Sequence, residues 1–352
     1  MTTIRSNICI VENTPIRSSA FENTAYYNNS ENWDNGILYI DNCLIKAKSD
    51  VREVTVKNGC KLIADGTFSY CENLESITIP DGVTEIGRDA FRYCRCLESI
   101  TIPDSVTEIG YCAFDGCKNL AKITIPDSVT IIEGWAFENC QSLESITIPN
   151  SATKIGGGAF ENCVNLKTIT IPDSVNEIGY EAFENTAYYN NSENWDNGIL
   201  YIDNYLIKAK SDISETTVNN GCKLIADGAF DGCKNLESVT IPDSVTAIGS
   251  GAFRCCESLK KITIPDGVTK IGRDAFSYCR CLGSITIPDS VTVIGSGAFY
   301  DTSYYNNAKC WVKGILYIDN CLIEAKSYVR EVTVNNGCKL IADGAFSSCE
   351  YL

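Results

Sequence analysis

The side chains that could do chemistry in this chain are cysteines, hydroxyls, aspartates and aromatic rings, because its 352 residues include no histidine. The commonest general base and the commonest metal ligand are therefore both missing. Among the 20 cysteines, Cys94 with Cys96 and Cys279 with Cys281 form C-x-C pairs, but no second pair follows at zinc-finger spacing. No nucleophile–base pair or phosphate loop stands out either. We expect no catalytic residue, no metal and no cofactor.

Most of the cysteines recur at a fixed spacing. Nine lie three residues after a phenylalanine, at Cys71, Cys94, Cys117, Cys140, Cys163, Cys233, Cys256, Cys279 and Cys349. Cys60, Cys222 and Cys338 stand where other repeats place a core aliphatic residue. A free cysteine behaves as a small buried hydrophobe. If the recurring segments stack as coils of a repeat structure, their Cβ vectors are parallel, which disfavours the ~90° torsion of a disulfide. The spacing favours a core ladder of reduced thiols; structural disulfides or a metal are the alternatives.

Threonines form a second recurring series, 13 residues before a phenylalanine. They are Thr55, Thr78, Thr101, Thr124, Thr147, Thr170, Thr217, Thr240, Thr263, Thr286 and Thr333. Two positions earlier, on the same face of a strand, stand Ser76, Ser99, Lys122, Ser145, Thr168, Ser238, Lys261 and Ser284. This threonine column is a candidate protein-binding face. The alternatives are that threonine simply suits an exposed strand, or that the hydroxyls order water, which the interrupting Lys and Glu residues argue against.

Aspartates follow the turn proline of most repeats, at Asp81, Asp104, Asp127, Asp173, Asp243, Asp266 and Asp289. Stacked carboxylates could attract calcium, which takes six to eight oxygen ligands. A single column supplies too few of them, however, and no D-x-D-x-D-G loop is present. Turn propensity explains the aspartates adequately.

The elements that position these residues follow from the phenylalanines. All 12 fall in one series, at Phe21, Phe68, Phe91, Phe114, Phe137, Phe160, Phe183, Phe230, Phe253, Phe276, Phe299 and Phe346. Successive members are 23 residues apart, except for three steps of 47. A fixed period of this length indicates a solenoid, in which stacking buries the face that one unit cannot bury alone. We expect one solenoid over residues 1–352, with a partial unit at 1–20.

One unit predicts its own local structure. The Ile-Thr-Ile run at 100–102 favours a short strand, which Pro103 ends because it lacks an amide hydrogen. Val106 and Ile109 return to the core, and residues 113–117 have the spacing of one helical or 3₁₀ turn. The predicted core slots, with their equivalents in other units, are Ile77, Ile79, Val83, Ile86, Ala90, Phe91, Cys94 and Leu97. The fold class is β-rich, with stacked parallel short strands.

The pattern L-x-x-I-x-I-P-x-x-V-x-x-I-G-x-x-A-F-x-x-C-x-x-L, read from Leu97 to Leu120, resembles the BspA-like leucine-rich repeats. The resemblance covers essentially the whole chain. It implies a leucine-rich-repeat solenoid with a parallel sheet, used for adhesion or protein recognition. It also implies a protein that is secreted or lies at a cell surface.

The three 47-residue steps each contain an insert, at about residues 28–50, 190–212 and 306–328. Two apolar runs around Asp-Asn predict a β-hairpin with a two-residue turn, which we expect to project from one edge. The candidate binding aromatics are Tyr27, Tyr189, Tyr305, Trp33, Trp195 and Trp311. Tyr and Trp are favoured at protein interfaces, and aromatic rings also stack on sugars. The alternative is that they form a small core that seats the hairpin.

Charge and hydropathy exclude several partners. A net charge of -16 disfavours nucleic acid and anionic membranes. No run of 18 apolar residues is present to span a bilayer, and residues 1–20 lack the apolar stretch of a signal peptide. The sequence therefore predicts a non-catalytic recognition or adhesion module that binds protein or host matrix, with glycan as a second partner class. The alternative is a structural spacer or targeting arm of a larger surface protein.

Overall fold

The computed structural model describes residues 16–352 and divides into two compact units. The first unit comprises residues up to 175 together with 181–191, and the second comprises 176–180 and 192–352. Each is built of stacked coils with parallel strands, the β-solenoid that the 23-residue period predicts. Of the partial unit predicted at residues 1–20, residues 1–15 lie outside the described part, as do most of the residues considered for a signal peptide.

Most regular coils contribute two short strands. The first strands are Glu53–Thr55, Ser76–Thr78, Ser99–Thr101, Lys122–Thr124, Ser145–Thr147, Thr168–Thr170, Glu215–Thr217, Ser238–Thr240 and Lys261–Ile262. The second strands are Leu62–Ile63, Glu85–Ile86, Glu108–Ile109, Ile131–Ile132, Lys154–Ile155, Glu177–Ile178, Leu224–Ile225, Ala247–Ile248, Lys270–Ile271, Val293–Ile294 and Leu340–Ile341. The predicted Ile-Thr-Ile strand is confirmed, since the central isoleucine of Ser99–Thr101 is buried between two exposed hydroxyl residues.

The second strands form the long sheets of both units. In the first unit they continue a row that begins with Trp33–Asp34, Ile37–Ile40 and Cys43–Ala47. In the second unit, one row begins with Trp195–Asp196, Ile199–Ile202 and Tyr205–Ala209, and another consists of Trp311–Val312, Ile315–Ile318, Cys321–Ala325 and Leu340–Ile341. The first strands, by contrast, pair only in twos and threes. The threonines therefore lie on stacked parallel strands but not in one continuous sheet, because each first strand is three residues long at most and a proline, without an amide hydrogen, stands two residues beyond most of them.

The segment around each repeat phenylalanine is a run of tight turns and not the predicted helical turn. The amides of Phe114 and Gly116 donate to the carbonyls of Ala136 and Glu138 in the next coil, at 2.7 and 2.8 Å, whereas the amide of Cys117 donates within the coil to Phe114. Gly116 has a φ of 72°, in the left-handed region that a helix does not use. Since alternate amides bond to the next coil, these segments form a hydrogen-bonded ladder along each unit, beside the rows of first and second strands. It is here called the turn ladder.

The helices of the described residues are short and lie outside the regular coils. The α-helices are Ala25–Asn28, Ala187–Asn190 and Ser303–Asn306, and the 3₁₀ helices are Ser18–Phe21, Ser30–Asn32, Ser192–Asn194 and Ala308–Cys310. In the first insert, the side chain of Thr24 caps its helix by accepting the amide hydrogen of Tyr27 at 3.2 Å. Over residues 16–352, the helices are too short and too polar to cross a bilayer.

The phenylalanines form a continuous stack through the core of each unit. Ring centroids from Phe68 to Phe183 are 5.1–5.5 Å apart, and those from Phe230 to Phe299 are 4.8–5.6 Å apart, with planes within 9° of parallel. These rings are at most 1% exposed. Phe21 and Phe346, the first and last of the series, are only half-buried.

The predicted core slots are buried, with one exception within the unit chosen to define them. Ile79 is half-buried, whereas its equivalents Ile102 and Ile125 are 3% and 8% exposed. Ile79 directly follows the strand Ser76–Thr78, which is not hydrogen bonded to the next strand, Ser99–Thr101. The same break follows Lys122–Thr124, where Ile125 is nevertheless buried, so the greater exposure of Ile79 is particular to its own coil.

The cysteine ladder lies beside the phenylalanine stack. The thiol of Cys94 donates to the carbonyl of Phe68 at 3.2 Å, and that of Cys117 donates to Phe91 at 3.1 Å. The thiol of Cys71, in the coil after the first insert, donates to Lys48 at 3.4 Å. All 19 cysteines of the described residues are free. The bonding shows why a cysteine recurs here: its thiol is a small apolar group that also satisfies a buried carbonyl.

The inserts contain the predicted hairpins, but each hairpin is part of the sheet and not a projection from it. Cys43–Ala47 pairs antiparallel with Ile37–Ile40 and parallel with Leu62–Ile63. The amide of Ala47 then donates to the carbonyl of Thr67 at 3.0 Å, as a repeat phenylalanine would in a regular coil. The expected projection was wrong because the hairpin is strongly apolar, with Leu38 and Leu44 fully buried. Ala209 and Ala325 repeat the contact in the second unit.

Candidate binding surfaces

The threonine column is exposed along both units, as predicted. In the first unit its members face one another in register, Thr55 with Thr78, Thr101 with Thr124, and Thr147 with Thr170. In the second unit Thr217 pairs with Thr240, and Thr263 and Thr286 are also exposed. Across the described residues, no side-chain hydroxyl of this column makes a hydrogen bond to another residue. Each is a free donor and acceptor.

Two further hydroxyl columns are used inside the structure. The hydroxyl of Thr130 donates to the carbonyl of Thr107 in the preceding coil at 3.3 Å, and that of Thr153 donates to Thr130 at 3.2 Å. The turn serines act alike, with Ser105 donating to Val83 at 2.6 Å. These hydroxyls stabilise coil-to-coil stacking, whereas those of the threonine column, like those of Ser76 and Ser99 beside it, are free to bond to a partner.

Charged side chains border the threonine column. Lys122 and Lys261 occupy the column two residues before the threonines and are exposed. Neighbouring coils are joined at this edge by ion pairs, Arg52 with Glu75 at 2.8 Å and Lys260 with Glu237 at 2.6 Å. Exposed ion pairs of this kind contribute little to stability, because water and salt screen the charges. The face that surrounds the threonines therefore carries both signs of charge.

The aspartate column lies at the exposed turns. All seven aspartates are exposed, and Asp289 forms an ion pair with Lys339. Within residues 16–352, no group of three or more acidic or cysteine side chains is placed to hold a metal ion. Their position at exposed turns matches the turn propensity of aspartate.

The insert aromatics are half-buried, and several of their polar atoms bond within the insert. The indole nitrogen of Trp33 donates to the carbonyl of Tyr27 at 2.7 Å, and that of Trp311 donates to Tyr305 at 2.6 Å. The rings of each pair meet edge to face, with centroids 5.1 Å apart. The hydroxyl of Tyr305 donates to Glu324 at 2.9 Å. These contacts seat the insert on its coil while leaving part of each ring exposed.

Lysine side chains lie over the insert tryptophans. The ammonium groups are 5.4 Å from the ring centroid of Trp33 and of Trp195, and 4.6 Å from that of Trp311. Tyr189, the remaining candidate, is half-buried, and burial raises its pKa. The geometry of the first insert thus recurs in its copies.

A further aromatic surface, which sequence reasoning missed, lies on the turn ladder of the first unit. Tyr111 and Trp135 meet with ring centroids 5.0 Å apart, and Tyr70 and Tyr93 are also 5.0 Å apart. Tyr70 is 56% exposed and Trp135 is 36% exposed. One signal in the sequence could have found it: of the four tryptophans, only Trp135 lies outside the inserts.

The repeat of this chain also occurs in known proteins. Residues 3–98, 84–214, 200–311 and 223–352 match the family model described as BspA type Leucine rich repeat region (6 copies). A leucine rich cell surface protein from Faecalibacterium prausnitzii A2-165 is 32% identical over 76% of this chain and 91% of that chain, with a TM-score of 0.41. A leucine-rich repeat protein from Bacteroides ovatus ATCC 8483 is 22% identical over 90% and 84%, with a TM-score of 0.38. No curated protein matches the sequence. The chain belongs to the family of BspA type leucine-rich repeat proteins.

Proposed function

We propose that this chain is a non-catalytic recognition module that binds a protein of the host surface or matrix through the threonine column. The free hydroxyls of that column are the observation that carries the proposal. A hydroxyl left without an internal partner on a rigid strand costs little to desolvate if a partner protein supplies the hydrogen bond. The family and its cell surface relative support placing the module at a cell surface or outside the cell.

The dimensions of the column suit a protein partner. From Thr55 to Thr170 there are five coil steps, and at ~4.8 Å per step the column is roughly 24 Å long. A standard protein interface buries about 800 Å² on each side, so a partner would contact the bordering charged side chains as well as the threonines. The mixed charges of the border favour specificity over simple electrostatic attraction.

The insert aromatics are the second element of the proposed surface. Three copies of one half-exposed Tyr-Trp pair can contact a repetitive partner several times, so weak single contacts add through effective concentration. The same rings also seat their hairpins. A test of recognition must therefore separate loss of binding from loss of stability.

The direct test replaces Thr101, Thr124 and Thr147 together by Arg and measures binding of the chain to immobilised extracellular-matrix proteins. Because all three side chains are exposed, the fold should be retained while the face becomes bulky and positively charged. We expect binding to weaken by more than about tenfold, a loss of ~1.4 kcal/mol.

The matched control carries the same added charge elsewhere, with Asn73, Asn119 and Val164 each changed to Arg. These residues are also exposed, but they follow the phenylalanines and do not lie on the first strands. The control should bind like the original chain. Equal losses in the two triple variants would point to a general charge effect, and unchanged binding of the threonine variant would exclude the column as the binding face.

A further inference from the structure

An open groove of the first unit lies on the turn ladder and not on the threonine column. It has a volume of about 770 Å³ and crosses several coils, from Arg17 to Glu138. That volume is within the range of sites that hold small-molecule ligands. We propose that this groove binds a neutral oligosaccharide. The inference does not rest on the proposed protein-binding function, because the groove lies on the turn ladder and the threonine column lies on the first strands.

Aromatic rings line part of the groove. Tyr70, Tyr111 and Trp135 all line it, and the Tyr111 and Trp135 rings meet at an interplanar angle of 62°. An aromatic ring offers a rigid apolar face at low entropic cost. The C–H face of a pyranose ring is apolar while its edge carries hydroxyls, so a sugar can stack on such a ring and still bond to polar groups beside it.

Glycine in the following coil lets Trp135 lie against the turn ladder. A Cβ added at Gly158 would be 2.6 Å from the indole nitrogen of Trp135, which is too close for a real contact. The indole N–H has no hydrogen-bond partner among the described residues, whereas the indole nitrogens of Trp33 and Trp311 donate to insert carbonyls. Trp135 therefore presents its ring to the groove, while its indole nitrogen lies towards Gly158, outside the groove lining.

Polar groups beside these rings are held in place by other side chains. The guanidinium of Arg88 lies 4.2 Å from the ring centroid of Tyr111. Arg92 donates to Asp115 at 2.9 Å and lies 3.6 Å from Asp89. Asp115 is 2% exposed, so its carboxylate anchors Arg92 from below. Such fixed forks and carboxylates match the donors and acceptors of vicinal sugar hydroxyls.

The charge of the groove favours a neutral ligand. Its lining contains four cationic side chains, Arg17, Lys46, Arg88 and Arg92, and four anionic ones, Glu22, Asp65, Asp89 and Glu138. The formal charges cancel, although the whole chain carries -16. A polyanionic glycan would need an excess of cations, and an apolar peptide would leave these groups unpaired at a desolvation cost. A neutral, hydroxyl-rich ligand satisfies both constraints.

The test is a calorimetric titration of the full chain with maltohexaose, cellohexaose and chitohexaose, alongside a heparin hexasaccharide as the anionic comparison. We expect saturable binding of at least one neutral hexasaccharide, with a Kd in the micromolar to millimolar range. Trp135→Ala and Tyr111→Ala should each weaken it by about tenfold or more, while Trp135→Phe, which keeps a ring, should lose less. Because Trp135 is partly exposed, its replacement should leave the melting temperature within a few degrees of the original.

The matched control is Tyr278→Ala, which removes a tyrosine of similar exposure, 38%, from the turn ladder of the second unit. It should leave neutral-sugar binding unchanged. Three results would overturn the proposal: no neutral hexasaccharide binding up to ~10 mM, binding that survives both Trp135→Ala and Tyr111→Ala, or binding of the heparin fragment alone. None of them bears on the threonine column, so the two functions can fail separately.

Discussion

Replacing Phe137 by Ala tests the packing on which every surface of the first unit depends. The Phe137 ring is fully buried, and its centroid is 5.3 Å from that of Phe114 and 5.2 Å from that of Phe160. The substitution removes the ring from the middle of the stack. In a repeat structure each coil contacts only its neighbours, so the cavity cannot be filled from elsewhere in the unit.

The expected loss of unfolding free energy is about 3–5 kcal/mol, the range for a buried phenylalanine cut to alanine. Each aromatic pair contributes about 0.5–1.5 kcal/mol beyond the area it buries. Phe68 is equally buried but stacks on one phenylalanine only, Phe91, because the first insert lies on its other side. Phe68→Ala should therefore cost about 0.5–1.5 kcal/mol less. Phe137→Leu, which keeps most of the apolar volume, should cost about 1–3 kcal/mol.

The assay is denaturant unfolding followed by circular dichroism, with free energies taken from the midpoint and the slope of each transition. Phe137→Ala should lower the free energy of unfolding more than Phe68→Ala does, and both variants should be less stable than the original chain. A near-neutral Phe137→Ala would mean that the ring is not part of a packed core. Equal losses at both positions would mean that stacking between coils contributes nothing beyond burial.

Three further predictions concern the thiols and the inserts. Alkylation of the denatured, unreduced chain should modify all nine ladder cysteines, because their thiols donate to carbonyls and form no disulfides; resistance of most of them would contradict the reduced ladder. Burial raises the pKa of Cys71 and of Cys233 from the ordinary 9.0 to about 11, so their contribution to stability is complete below pH 9 and is lost as pH rises towards 11. The double variant Cys71→Ala/Cys233→Ala should show a shallower alkaline loss, and an unchanged pH slope would refute the assignment. Changing Trp33, Trp195 and Trp311 together to Ala should lower the melting temperature, because each ring packs within its insert, and should also weaken partner binding; a lower melting temperature with unchanged binding would make the rings structural only.

Periodicity alone predicted most of the fold. A slot that recurs every 23 residues must face the same surroundings in every coil, so the buried positions of Phe91, Cys94 and Leu97 followed directly from the sequence. The backbone path around each phenylalanine could not be predicted in this way. The spacing of Ala113, Phe114 and Cys117 suits a helical turn, but stacked coils compete for the same amides, and bonds to the next coil replace helical ones.

The inserts contain a turn signal in their sequence that was not used to predict their strands. Asn35-Gly36 and Asn197-Gly198 form two-residue turns with positive φ at both positions, the turn that most strongly favours a hairpin. They add the strands Trp33–Asp34 and Trp195–Asp196 before the predicted hairpins. The hairpin's incorporation into the sheet, by contrast, depends on a fit between coils that no single insert specifies.

The candidate site was predicted in part. Spacing placed the threonines on an exposed face, but it could not separate a free hydroxyl column from those whose hydroxyls donate between coils, since that depends on angles near carbonyls such as that of Thr107. Spacing also could not predict that Tyr111 and Trp135 meet. They occupy different positions in neighbouring coils, three residues and two residues before the repeat phenylalanine.

The measurement that tests the threonine column most directly is lysine footprinting of the chain bound to a matrix partner. Lys122 and Lys261 lie on the first strands beside the column, whereas Lys118 and Lys234 follow the phenylalanines, and all four are exposed. If the column is the binding face, acetylation followed by mass spectrometry will show Lys122 and Lys261 protected in the complex, with Lys118 and Lys234 labelled as in the free chain. Protection of Lys118 and Lys234, with Lys122 and Lys261 still fully reactive, would contradict recognition through the threonine column.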